Sequence, residues 1–212
     1  MPFLDQNRFP RLWLLMQMTI GGNKSKQAFA VKWYKGQSKA LEIGCSVGNV
    51  SSVFARQPKI AFLGIDIDAK AVGVAKRRFR RSPNLRFDHC ELAKVVESGQ
   101  QFDYILFAGI LHHVSDTVAI QMLKDVRRCA APGAGIVIYD PESPRPEDSL
   151  VIRWFMRTFE NGRHVRTEEE YRRLIHNAGL RIQAAEKQMV SPGIVRRPYV
   201  STFCLFWCQA DL

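Results

Sequence analysis

The sequence predicts a single α/β domain: a doubly wound, mostly parallel seven-stranded sheet with helices on both faces and an antiparallel C-terminal hairpin. Three observations lead there. Between residues 40 and 140, short apolar runs alternate with helical patterns at the spacing of βαβ units. Those runs are apolar along their length rather than at every second residue, as suits strands covered on both faces. The chain then closes with two strand-like runs, Leu180–Lys187 and Ser201–Gln209, joined by a short segment with Pro192-Gly193 and Pro198, which reads as a hairpin at the sheet edge. At 212 residues, with 46% apolar and 24% charged residues, the chain is long enough to hold a core without disulfides or metal.

The elements follow in order. An amphipathic helix is expected from Phe9 to Thr19, stopped by Gly21-Gly22, and a second from Lys24 to Tyr34, ended by Gly36. Ala40–Gly44 reads as a strand and Gly48–Gln57 as a helix. Ile60–Asp66 is a strand before a helix over Ala69–Arg81, and Leu85–His89 is a strand before a short helix at Leu92–Glu97. Phe102–Gly109 and Ile136–Asp140 are strands on either side of a helix over Val118–Ala131, which Pro132-Gly133 closes. Pro141, Pro144 and Pro146 mark a loop, after which Asp148 caps a helix through Glu160 with Leu150, Val151, Trp154, Phe155 and Phe159 on one stripe. Thr167 and Glu170 form a capping box for a helix to Asn177. This divides the chain into N-terminal helices at 1–36, a cap over the active site, and a domain at 37–212 with a lid insert at 141–166.

The net charge of +11 is uneven. Residues 1–86 carry 16 basic and 4 acidic groups, and residues 87–212 carry 15 and 16. A basic half suits nucleic acid, an anionic surface or an acidic substrate. The densest run, Lys76-Arg77-Arg78-Phe79-Arg80-Arg81, ends a helix, where cations complement the helix dipole and face solvent. Lys24, Lys26, Lys32, Lys35 and Lys39 stand closer to the expected site entrance. The five cysteines are odd in number and form no C-x-x-C, which argues against a disulfide framework or zinc and for a cytoplasmic setting. The apolar run Leu12–Met16 is too short to span a bilayer.

The turn Glu42-Ile43-Gly44-Cys45-Ser46-Val47-Gly48 lies beyond a strand's carboxyl end, where parallel sheets bind ligands. Its glycines allow close backbone approach, and free N–H groups await an anion. Gly44-x-Ser46-x-Gly48 also matches a serine-hydrolase elbow, with Asp140 and His164 following in order, but too few strands precede it and no His-Gly-Gly segment appears. Asp66, 22 residues after Gly44, suits ribose binding by a nicotinamide dehydrogenase, but G-x-G-x-x-G and Tyr-x-x-x-Lys are absent.

Leu41 through Gly48 resembles motif I of the class I S-adenosylmethionine-dependent methyltransferases, a Rossmann-like family, and several further motifs follow in register over roughly residues 39–141. The resemblance is nearest to the UbiE-like small-molecule branch. It implies S-adenosylmethionine as cofactor and S-adenosylhomocysteine as product. It places Glu42 near the cofactor's amino group and Gly44, Cys45, Ser46 and Gly48 around its methionyl part. It implies that Asp66, followed by Ile67, takes the ribose hydroxyls, that Glu91 takes the adenine amine, and that the Leu92 N–H reaches the ring. Ala108 ends the fourth strand within the stretch that resembles motif IV. Three departures stand out: Ser46 replaces the middle glycine of motif I, Glu91 a shorter Asp, and Ala134 a glycine.

The acceptor side is less defined. No Asp/Asn-Pro-Pro-Tyr and no Pro-Cys follows the fourth strand, which argues against exocyclic base amines and cytosine C5 as acceptors. His112 and His113 stand just past that strand and are the candidate general bases, since imidazole titrates near neutrality. Tyr139, Asp140 and Glu142 follow the fifth strand and are expected to line the acceptor site. Tyr139, Arg163, His164 and Tyr199 are candidate acceptor contacts, Arg163 for a carboxylate or phosphate. His89 and His176 read as structural. The expected function is methyl transfer to O, N or C of a small molecule, anionic or partly apolar. RNA modification through the basic half is the alternative, and a non-catalytic cofactor-binding protein and a serine hydrolase are the minor ones.

Overall fold

The computed structural model describes residues 23–145, 148, 150, 153, 163–190 and 201–210. Seven strands form one sheet: β1 (Lys39–Ile43), β2 (Ala61–Asp66), β3 (Leu85–His89), β4 (Phe102–Ala108), β5 (Ala130–Pro141), β6 (Leu180–Val190) and β7 (Ser201–Ala210). Their spatial order is β3-β2-β1-β4-β5-β7-β6. The first five strands pair in parallel, whereas β7 runs antiparallel between β5 and β6. The order reverses at β1, between β2 and β4. This is the topological switch point, where a crevice opens at the carboxyl ends.

The helices divide between the faces. On one lie α3 (Leu92–Glu97), α4 (Asp116–Cys129) and α5 (Glu168–Asn177), placing Val95, Leu123, Val126, Tyr171 and Ile175 against Ile105, Phe107, Ile136 and Phe206. On the other lie α1 (Asn23–Val31), a 3₁₀ turn over Ser51–Arg56 and α2 (Ala69–Arg78), with Phe29, Phe54, Val72 and Ala75 against Phe62, Tyr104, Val137 and Leu205. Aromatic rings hold the second face: Phe54 stacks on Phe62 at 5.0 Å between centroids, and Trp33 on Trp207 at 5.9 Å. Any side chain at Gly135 of β5 would enter the Trp207 ring, so this glycine is what lets β7 carry a tryptophan there.

Several elements differ from the sequence pattern. The helix expected over Gly48–Gln57 is only the 3₁₀ turn Ser51–Arg56. The segment Asn49-Val50-Ser51-Ser52-Val53 is poor in helix formers; the Ser52 hydroxyl bonds locally to the Asn49 carbonyl at 2.7 Å, and the Ser51 hydroxyl reaches back to Glu42 of β1. α2 stops at Arg78 rather than Arg81, and β5 starts at Ala130, ahead of Pro132-Gly133, with an irregular register there against Phe102 and Tyr104. The capping box at Thr167 forms as expected: its side chain accepts from the Glu170 N–H, and Glu170 accepts from the Thr167 N–H. The expected helix over Phe9–Thr19, most of that from Asp148 to Glu160, and the Pro192–Pro198 connection lie outside the described residues. No described helix is long and apolar enough to cross a membrane.

Candidate active site

The carboxyl ends of β1 to β4 bring the expected cofactor residues together. β1 delivers Glu42 and then turns, and the Gly44 and Cys45 N–H groups both donate to the Ile65 carbonyl of β2, at 2.8 and 3.0 Å. Gly44 has φ +72, and any side chain there would run into Ile110, which packs over it from beyond β4. Gly48 has φ +77 and lies against the Phe79 ring at the end of α2. Ser46, in the position of the middle glycine, also takes a left-handed φ, +50. For a non-glycine residue this costs roughly 1–2 kcal/mol, and the surrounding contacts must offset it. One such contact is a 2.8 Å hydrogen bond from the Ser46 N–H to an Asp66 carboxylate oxygen, which ties motif I to the end of β2. The other Asp66 oxygen accepts from the Asp68 N–H at 2.9 Å.

The electrostatics of this end are unusual. The Glu42 side chain is 1% exposed, and its hydrogen-bond partner is the Ser51 hydroxyl. Burial pushes its carboxyl up to about 8, with Asp66 adding to the rise. Burial also raises Asp66, against the opposing pull of its backbone donors, and lifts the Cys45 thiol beside the two carboxyls. Tyr139 of β5 is fully buried on the same face as Glu42, edge-on to Phe29 at 5.7 Å, and its hydroxyl has no hydrogen-bond partner among the described residues. Ile67 is 74% exposed, an apolar side chain held out beyond Asp66, with its carbonyl bonded to His89 at 3.0 Å. Glu91 is exposed at the start of α3 and does not cap it, while the Leu92 side chain is core. Ala108 ends β4, and the Gly109 N–H after it donates to the Tyr139 carbonyl at 2.8 Å.

The residues suit S-adenosylmethionine. Glu42 is a buried carboxyl with no cation paired to it among the described residues, fit for an ammonium group. Asp66 and Glu91 offer acceptors to ribose hydroxyls and an adenine amine, and Ile67 an apolar cover. Gly44 lets Ile110 pack directly on the turn.

Across the crevice, His112 and His113 form a single 3₁₀ turn, Leu111–His113. His112 is buried, with Nδ1 2.5 Å from a carboxylate oxygen of the fully buried Asp140, whereas His113 is exposed. The two rings lie 3.9 Å apart between centroids. Asp140, read as lining the acceptor site, instead reaches back to this turn. It bonds His112 and not His164, so the hydrolase order Ser46, Asp140, His164 is not assembled through it. Arg163 and His164 are exposed, and the His164 N–H donates to the His112 carbonyl at 3.0 Å. Tyr199 lies outside the described residues.

Two further residues belong here that sequence patterns did not single out. Arg166, 4% exposed, donates to the carbonyls of Leu111, Val114 and His164 at 2.7, 2.7 and 2.9 Å and to Asp116 at 2.9 Å. Arg78, within the basic run, reaches back to the Val47 carbonyl and to Asn49 in motif I. An arginine beside other arginines carries no sequence signal of such a role.

The profile of the Methyltransferase domain family matches residues 41–136. Phosphoethanolamine N-methyltransferase 1 of Triticum aestivum is 23% identical over 185 residues, 84% of this chain and 36% of its own. A ubiquinone biosynthesis O-methyltransferase of Dinoroseobacter shibae is 26% identical over 152 residues, 67% of this chain and 59% of its own. The chain therefore spans less than two thirds of either relative's length. A solved S-adenosylmethionine-dependent methyltransferase from Methanosarcina mazei shares the fold, with TM-score 0.68 and 18% identity over 85% of this chain and 96% of that one. The family profile runs from β1 into β5, the stretch that gathers the glycine turn and carboxylates at the switch point, and over these residues the chain is similar to a methyltransferase domain.

Proposed function

We propose that the protein transfers a methyl group from S-adenosylmethionine to a small-molecule acceptor. The observation that carries this is the cradle at the switch point: a buried carboxyl on β1 with no paired cation among the described residues, and a second carboxyl on β2, bonded to the backbone of the glycine turn between them. In this reading Glu42 receives the amino group, the turn Gly44–Gly48 borders the methionyl part, Asp66 takes the ribose, and Ile67, Glu91 and the Leu92 N–H take the adenine, near Ala108. When bound, the cofactor supplies an electrophilic methyl group on a positively charged sulfur.

The chain's own residues then orient the acceptor. Placing two reactants in line supplies much of such a barrier, so a positioned pocket accounts for most of the rate. The pocket lies over the carboxyl ends of β4 and β5. Its candidate contacts are Tyr139, His112, His113, Arg163, His164 and Tyr199, with residues 1–36 as cap and 141–166 as lid. The relatives support a small acceptor: their names specify phosphoethanolamine and ubiquinone biosynthesis, and a solved structure with TM-score 0.66 is a mitomycin 7-O-methyltransferase. None of these names supports RNA as substrate, and the basic helix end is partly used within the fold by Arg78. The free thiols of all five cysteines suit a cytoplasmic setting.

Calorimetric titration with S-adenosylhomocysteine tests the cofactor site. Radiolabelled methyl incorporation into small-molecule and RNA pools tests the acceptor. Binding with incorporation into the small-molecule pool is the expected result; no binding at millimolar ligand by folded protein overturns the reading.

A further inference from the structure

We propose that the Tyr139 hydroxyl binds the cofactor's ammonium group, as a second acceptor beside Glu42 that the empty fold holds ready. The inference rests on the methyltransferase reading above and moves Tyr139 from the acceptor's contacts to the cofactor's.

The other described tyrosines have satisfied hydroxyls. Tyr34, Tyr104 and Tyr171 donate to the carbonyls of Gln37, Ala30 and Pro141 at 3.0, 2.8 and 3.1 Å. Tyr139 is 0% exposed, and its hydroxyl has no hydrogen-bond partner among the described residues. A hydroxyl buried in this way gives up its water without replacement, so it costs the fold more than a bare ring would. The layer around it is built of bare rings: Phe29 lies edge-on to Tyr139 at 5.7 Å, and Phe203 lies 6.4 Å from Phe29. A phenylalanine would fill the same place without the penalty. Packing therefore accounts for the ring of Tyr139 and not for its oxygen.

The sheet register shows which group shares its face. Tyr139 of β5 pairs with Ala108 of β4, and Glu42 of β1 pairs with Leu106, two residues back along β4. Residues two apart on a strand point to one side, as do partners in register. Glu42, Leu106, Ala108 and Tyr139 thus lie on the face that α1 covers, with β4 alone between the outer two strands. Ala108 is partly exposed and carries only a methyl group. A small group that enters the crevice over Ala108 meets Glu42 on one side and Tyr139 on the other. α1 is fastened above by Gln27, whose Nε2 donates to the Asn49 carbonyl and to the Ser52 hydroxyl, both at 2.9 Å.

The chemistry of the two groups selects the ligand. Burial, then the nearby Glu42 and Asp140 carboxyls, push the Tyr139 hydroxyl well up, so it keeps its proton and its oxygen can accept. Among the described residues Glu42 bonds the Ser51 hydroxyl, which leaves accepting capacity on the carboxyl. An ammonium group consists of donors alone, and it can give one N–H to the Glu42 carboxylate and another to the Tyr139 oxygen. A carboxylate in the same place would be repelled. The pair therefore also fixes which end of the methionyl part points inward, and leaves the other end for the N–H groups of the glycine turn.

The test is calorimetric titration of wild type and Tyr139→Phe with two ligands: S-adenosylhomocysteine, and its analogue in which hydrogen replaces the amino group. In Tyr139→Phe the affinity for S-adenosylhomocysteine should fall about tenfold, the order of a hydrogen bond to a charged group. Affinity for the analogue should stay within about twofold. The loss should be the same at pH 6 and pH 8, because this hydroxyl does not titrate there. The free variant should melt no lower than wild type, since it sheds an unpaired hydroxyl. Equal losses for the two ligands, no loss for S-adenosylhomocysteine, or a variant that melts lower or fails to fold overturns the inference. Wild type that binds neither ligand overturns the methyltransferase reading and this inference with it, whereas wild-type binding that Tyr139→Phe leaves unchanged overturns this inference alone.

Discussion

The two halves of the crevice are built by opposite means. At β1 and β2 the polar groups come from one short stretch and its neighbour: Glu42, Gly44 and Ser46 lie within five residues, and Asp66 is 20 residues from the N–H it accepts. At β4 and β5 the turn is assembled from afar, Asp140 lying 28 residues from His112 and Arg166 55 residues from Leu111. Among the described residues the local half pairs its central carboxyl with a hydroxyl and no cation, whereas the long-range half satisfies its carboxylate with three nitrogen contacts. On the proposed reading the first receives a charged ligand, while the second holds a turn in place.

The largest effect should come from breaking the long-range half. Arg166→Ala leaves three carbonyls without their donor in a nearly dry site, and roughly 3 kcal/mol of stability or more should be lost. The midpoint of denaturant unfolding measures it. If the halves are independent, the fraction that stays folded should still bind S-adenosylhomocysteine; a parallel loss of binding would show that they are one unit. Next comes Asp66→Ala in the local half. It removes the acceptor for the ribose and for the Ser46 N–H together, so affinity for S-adenosylhomocysteine should fall by about 2–3 kcal/mol, read by calorimetry, with less effect on stability than Arg166→Ala.

Glu42 sharpens the contrast through pH. Burial raises its carboxyl to about 8, so the empty folded protein holds a proton there that the unfolded chain has released above about 4.5. Stability from this group is fully present below 4.5 and is lost as pH rises toward 8. Binding an ammonium group runs the other way, because it favours the carboxylate. Affinity for S-adenosylhomocysteine should therefore rise as pH climbs from 6 toward 8, by up to about tenfold per unit. Titrations in buffers of different ionisation enthalpy should show a proton released on binding. Glu42→Gln, which mimics the neutral acid, should flatten both trends and weaken binding.

How much of this was legible in the sequence follows from the same contrast. The alternation of strands and helices, the glycine turn and the Thr167 capping box are local patterns, and most of the strands form where those patterns lie. The 3₁₀ turn at Ser51–Arg56 departs from the helix pattern because Ser51 spends its hydroxyl on Glu42, a contact no periodicity reveals. His112 and His113 are equivalent as letters; only the fold places Asp140 against one of them. Arg166 stands beside a capping box, where a solvated arginine is the ordinary case, and only tertiary structure buries it.

The smallest effect tests the basic run, where neighbouring residues of one type take different roles. Arg77 is exposed near the end of α2. Arg78 reaches across to the Val47 carbonyl and Asn49, so its guanidinium supports the turn that also carries the Ser46 strain. Arg78→Gln should weaken S-adenosylhomocysteine binding by about 1 kcal/mol, the worth of a hydrogen bond to a charged donor partly open to solvent. Arg77→Gln removes the same charge and should change binding by less than about 0.5 kcal/mol. Equal losses from both would mean that the run acts through its field. In that case the effect should fade as salt rises, since exposed charges are screened over about 10 Å at 0.1 M. A loss confined to Arg78 that persists in salt would assign it to the contact, and would extend the local half of the crevice by one residue that lies 31 positions from the carbonyl it holds.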